Sequence, residues 1–69
     1  MPATYTPFGP AGDLGFLEAL EQKGLLNPEQ AADLKRYREA LRHWGFLEEY
    51  RRSEPYRMGA SLAEEGGDA

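Results

Sequence analysis

The chain has 69 residues, a formal net charge of −4 and no cysteine. It has room for one small domain, burying about 60% of the surface its unfolded form exposes, with neither a disulfide framework nor a thiolate metal site to support it. Twelve acidic residues against eight basic ones argue against a general attraction to nucleic acid or anionic lipid.

Valine and isoleucine are absent and the only β-branched residues are Thr4 and Thr6, which disfavours sheets. Leucine, alanine, glutamate and arginine, all good helix formers, dominate the middle of the chain. These features predict an all-α fold: a two-helix hairpin plus a short third helix, with an irregular N-terminal arm and a disordered C-terminal tail. No apolar run approaches the ~20 residues of a membrane span. The amino end lacks the basic region and apolar core of a secretory signal, so a cytoplasmic protein is expected.

In chain order, residues 1–12 carry Pro2, Pro7 and Pro10 with Gly9 and Gly12, a density that predicts an extended arm. Tyr5 and Phe8 are its large apolar groups. Asp13 is suited to cap a helix over 14–23. Leu14, Leu17 and Leu20 share one face of that helix, with Glu18 and Gln22 opposite. Gly24 should end it as a left-handed C′ residue, pairing Leu20 with Leu25 in a Schellman arrangement.

Asn27, Pro28 and Gln30 form the strongest local signal, a capping box with proline at the first helical position. They predict a second helix over 28–44, in which Leu34, Tyr37, Ala40, Leu41 and Trp44 share an apolar arc and Lys35, Arg38 and Arg42 lie on the other side. Gly45 repeats the glycine stop, with Leu41 and Phe46 as the apolar pair. A helix continued through Gly45 would turn Phe46 and Tyr50 onto the basic face, so 46–52 reads as a separate short helix with Glu48 and Glu49 near its start and Arg51 and Arg52 near its end. Pro55, Gly59, Gly66 and Gly67 then punctuate a polar segment, and 53–69 is expected to be a flexible acidic tail flanking a helical domain at 13–52.

Chemistry is sparse. His43 is the only histidine, and with Glu39 it offers two ligands, too few for a zinc site. Ser53 and Ser61 have no histidine near them in sequence, and there is no phosphate-binding loop or dinucleotide fingerprint. The pairs Glu48-Glu49 and Glu64-Glu65 have no enclosed pocket to separate their protonation. We therefore expect no enzyme, no cofactor and no metal.

The aromatic residues carry more information. Two short helices with so few large apolar side chains gain little burial against their conformational entropy, so extra burial is expected from the tails, a second copy or another protein. Tyr37, Trp44, Phe46, Tyr50 and Arg51 are of types enriched at binding hot spots. The leading expectation is a protein–protein interaction module, an accessory subunit or small regulator that docks this aromatic face on a larger protein or on itself, with Arg52 completing a charged rim and the Tyr5 and Phe8 arm wrapping the partner. The alternative is a nucleic-acid-associated regulator using Lys35, Arg38 and Arg42, a mixture of basic and aromatic residues suited to phosphate contact.

Overall fold

A computed structural model describes residues 5–66. It holds four helices, α1 (Gly9–Lys23), α2 (Pro28–Trp44), α3 (Leu47–Arg52) and α4 (Glu54–Gly66), and no strand among the described residues. The ends of the expected arm and tail, residues 1–4 and 67–69, lie outside the described residues.

The turn between α1 and α2 follows the local signals closely. Gly24 adopts the left-handed conformation at φ 71°, its amide donates to the Glu21 carbonyl at 3.0 Å, and the Leu25 amide donates to the Leu20 carbonyl at 2.9 Å. These two bonds satisfy carbonyls that a helix end leaves open. Asn27 then caps α2: the Gln30 amide donates to Asn27 Oδ1 at 2.8 Å and the Asn27 amide donates to Gln30 Oε1 at 3.1 Å. Gly45 repeats the stop at φ 79°, with Phe46 N donating to the Leu41 carbonyl at 2.9 Å. Phe46 stands at the N-cap position of α3.

Two expectations fail, for one shared reason. The arm over 1–12 is helical from Gly9 onward, so α1 starts before Asp13. The tail over 53–69 contains the thirteen-residue α4, so the expected hairpin plus one short helix is two helices pairing at the chain's ends around a hairpin. Pro10 and Pro55 each fall at the second helical position, where a missing amide hydrogen costs nothing. They start helices, as Pro28 does. The glycines behind them act as contact surface.

Helices α1 and α4 are the most extensively packed pair, and glycine permits it. A Cβ on Gly59 would sit 1.9 Å from the Gly12 carbonyl oxygen, and one on Gly15 would sit 2.1 Å from the Tyr56 carbonyl oxygen. The two backbones therefore touch where a side chain would hold them apart. With α4 on one side and α2 and α3 on the other, α1 is buried nearly all round: Gly12, Asp13, Leu14, Gly15, Leu17 and Glu18 are all inside. Leu14 and Leu17 join Leu34 and Leu41 of α2 in the core, and Tyr5, Phe16, Leu26, Tyr37, Leu47, Tyr50 and Tyr56 pack around them. Ala63 of α4 is buried too.

Candidate functional site

Burying the middle of α1 takes two carboxylates out of water, and each is met by a set of donors. Asp13, expected as a helix cap, is 1% exposed in the helix interior. Its Oδ1 accepts from the Tyr5 amide at 3.1 Å, the Thr6 amide at 2.8 Å and the Thr6 hydroxyl at 3.0 Å, and its Oδ2 accepts from the Tyr37 hydroxyl at 3.1 Å. It thus ties the segment before α1 and the middle of α2 to one point. Tyr5 stacks on Phe16 with ring centroids 5.9 Å apart and donates its hydroxyl to Asp33. The Tyr37 hydroxyl is pushed up to about 12 by burial and by the Asp13 carboxylate beside it; that of Tyr5 also rises to about 12, chiefly through its bond to Asp33.

Glu18 was expected on the solvent side and is 7% exposed, because it lies one turn after Leu14, beside the glycine seam, where α2, α3 and α4 all reach it. Arg38 Nε donates to its Oε2 at 2.9 Å, Arg51 donates through Nε at 3.2 Å and through Nη2 at 2.7 Å, and the Tyr56 hydroxyl donates to its Oε1. Residues from all four helices meet on this one carboxylate. Burial alone would push the Glu18 carboxyl up, but the bonds from Arg51, Tyr56 and Arg38 outweigh it and hold the group below the usual carboxylate range. Arg38 also grips Glu21, which is held low by that bond. Tyr56 is raised to about 12 by burial and by its bond to Glu18.

An open cleft of about 530 Å³ runs beside this cluster, lined by Glu18, Lys23, Arg38, Arg51, Tyr56 and Glu64 among others. Its central charges are engaged with one another, and no buried side-chain polar atom among the described residues lacks a hydrogen-bond partner. The chemistry available there is that of a structural clamp. No group of three potential metal ligands comes together among the described residues.

The structure divides the expected docking residues into two groups. Tyr37 and Tyr50 pack on the core, Tyr5 lies against Phe16, and Arg51 is held by Glu18, so these side chains serve the fold. Phe8 is half-buried at the start of α1, its Cβ close to Gly12, so neither aromatic residue of the expected arm stands free to wrap a partner. Trp44, Phe46 and Arg52 face water instead. Trp44 is 70% exposed and Phe46 48%, two residues apart at the corner where α2 ends and α3 begins. The indole makes an edge-to-face contact with the His43 ring at 5.4 Å. Ala40 and Trp44, placed by periodicity on the apolar arc of α2, are both exposed: Leu34 and Leu41 are the buried residues of that helix, and past Leu41 the core is closed by Leu47 and Tyr50 of α3. Of the basic trio, Lys35 and Arg42 are exposed, whereas Arg38 is turned inward onto Glu18 and Glu21.

The networks around Asp13 and Glu18 and the part played by Tyr56 were not anticipated from the sequence. One signal for them exists. Gly12, Gly15 and Ala19 are spaced three and four apart, as Gly59 and Ala63 are four apart, which places small residues along one side of each helix. Had that been read as a seam, the position of Glu18 beside it would have followed. No known protein family, curated protein or solved structure matches this chain. No helix among the described residues is long and apolar enough to cross a membrane.

Proposed function

We propose that this chain is a non-enzymatic protein–protein interaction module, a small accessory subunit or regulator that docks through the corner between α2 and α3. The observation that carries the reading is the indole of Trp44, 70% exposed on a chain whose other aromatic side chains are, Phe46 excepted, at least half-buried among the described residues. Leaving the largest apolar side chain in water forgoes the burial that a small domain most lacks, and tryptophan is the residue type most enriched where interfaces concentrate their binding energy. Phe46 extends the apolar corner, and Arg42 and Arg52 are exposed on the same two helices. Tyr37, Tyr50, Arg51 and Tyr5 take no part, being occupied in holding the helices together.

The nucleic-acid alternative is weakened by Arg38, whose guanidinium is engaged by two carboxylates. Lys35 and Arg42 alone make a slight footprint on a chain of net charge −4. Titration with duplex and single-stranded oligonucleotides at two salt concentrations tests it, and binding that weakens steeply with salt would restore it.

The docking reading is tested by comparing tagged wild-type chain with Trp44→Ala for self-association and for stoichiometric capture of a protein from its native extract. A hot-spot indole predicts a loss of more than ~2 kcal/mol of association free energy. Equal association by the two forms, or none by either, removes the assignment.

A further inference from the structure

Between α3 and α4 the helical backbone is interrupted at a single residue. Arg52 ends one helix, Glu54 begins the next, and Ser53 between them is extended, at φ −77° and ψ 156°. That φ already lies near helical values, so the break rests on one dihedral, ψ. Two groups hold it. The Ser53 hydroxyl donates to the Tyr50 carbonyl at 2.7 Å, beside the Ser53 amide at 3.1 Å, and together they close the end of α3. Pro55 has no amide hydrogen to give the Arg51 carbonyl, and in a continued helix its ring would collide with that carbonyl. The other bonds of a continuous helix are open to the chain: Glu54 to Tyr50, Tyr56 to Arg52, and Arg57 to Ser53, the last of which already exists at 3.4 Å. Pro55 is the residue that stands against one helix from Leu47 to Gly66.

The direction of the side chains decides what such a helix would do. At about 100° per residue, Tyr56 and Gly59, which face α1 from α4, would point about 180° away from Leu47 and Tyr50, which pack α3 on the core. With α3 in its place, α4 would leave its own α1, bare Gly12, Gly15 and Glu18, and turn its glycine face outward. The segment that fits the bared surface is α4 of another copy: Gly59 has no Cβ to meet the Gly12 carbonyl oxygen, and Tyr56 brings the hydroxyl that Glu18 accepts. Helix α4 packs almost wholly on α1, so an exchanged helix carries its interface with it.

We infer that Pro55 is a gatekeeper of chain pairing: by keeping the break at Ser53 it holds α4 on its own α1, and with Pro55 removed α3 and α4 join into one helix and two copies exchange α4, each seated on the other's α1. Exchange of an identical element is a low-cost route to a dimer, because its contacts are those of the monomer. The monomer keeps the advantage of a partner in the same chain, so exchange grows with concentration. It involves the seam and leaves the α2–α3 corner aside.

The test compares Pro55→Ala with its parent in full-length chains that both carry Trp44→Ala, which silences association through the corner. Sedimentation equilibrium from micromolar to millimolar concentration is expected to show Pro55→Ala dimerising at least tenfold more tightly than the parent, and circular dichroism to show no loss of helix. Exchange is read directly by NMR on a dimer refolded from equal amounts of isotope-labelled and unlabelled Pro55→Ala, in which contacts between Gly12 of one copy and Gly59 of the other are expected. Adding Ser53→Gly, which disfavours the joined helix again, is expected to return the chain towards the monomer. A Pro55→Ala chain that stays monomeric at millimolar concentration, loses helix, or dimerises without the Gly12–Gly59 contact between copies overturns the inference, as does a dimer that Ser53→Gly leaves unchanged.

Discussion

The α1–α4 pair and the α2–α3 corner treat their side chains in opposite ways. Along α1 and α4 the chain gives up side chains to bring two backbones together, Gly12 and Gly15 against Gly59 and Tyr56, and encloses two carboxylates that each accept four hydrogen bonds. At the corner it keeps its bulkiest apolar side chain and leaves it in water. If the corner docks as proposed, stability and recognition are separated in space: one region can be altered without the other only if the seam carries the folding energy and the corner carries very little.

The seam should be the more fragile. Gly59→Ala places a methyl group 1.9 Å from the backbone oxygen of Gly12, an overlap that no rotamer relieves, so the helices must move apart. We expect a loss of about 3 kcal/mol, a large share of the stability of a domain this size, seen as a collapse of the urea or thermal midpoint by circular dichroism. A variant as stable as wild type would show that α4 does not pack here.

Glu18→Ala removes the acceptor shared by Arg38, Arg51 and Tyr56 and should cost about 2 kcal/mol, an amount moderated by the water that reaches both arginines. The same carboxylate gives an acid limit. Because Glu18 and Glu21 are held below their ordinary range when folded, the stability they contribute is present above an unfolded-state value of about 4.3 and is lost as pH falls through their lower folded values. Glu18→Ala should flatten the acid side of a stability–pH profile.

At the alkaline end the sign reverses. Tyr5, Tyr37 and Tyr56 are raised to about 12 in the folded chain, so the stability they contribute is intact below about 10, the unfolded value, and declines as pH climbs towards 12. Absorbance titration should show these phenols ionising late in the folded chain and near 10 in urea. Tyr37→Phe and Tyr56→Phe should each remove part of the late-ionising signal.

The smallest effect belongs to the corner. Trp44→Ala should change folding stability by no more than about 0.5 kcal/mol, as for an exposed side chain outside the core, while weakening association by more than ~2 kcal/mol. A destabilisation well above 1 kcal/mol, read from urea unfolding at low concentration, would place the indole in the core and dissolve the contrast between the two regions.

What the sequence disclosed follows the range of the forces involved. The Asn27 capping box, the glycine stops at Gly24 and Gly45 and the break before α3 are satisfied within a few residues, and all were legible. The α1–α4 seam was not, because Gly12 and Gly59 lie 47 positions apart and a glycine that touches a distant backbone has the same letter as one that makes a turn. Pro10 and Pro55, each at a second helical position, looked like breaks although Pro28, at a first, was read as a start; Pro28 had a full capping box around it, whereas Ser53 before Pro55 is a lone cap residue with no partner three positions on. Glu18 misled for a related reason: periodicity assigns one buried face to a helix, and α1 has two. Trp44 fell on the apolar arc by angle, yet its exposure depends on where α3 sets down, which no pattern within α2 encodes.

The closeness of Gly12 to Gly59 also bears on how the chain is made. Synthesis from the amino end makes α1, α2 and α3 before the residues that cover the far side of α1 exist, so for that interval the chain holds Glu18 without Tyr56 and no α4 to fill the glycine groove. Completion of this fold must wait for α4, and a chaperone that met the chain before then would find its central helix still uncovered.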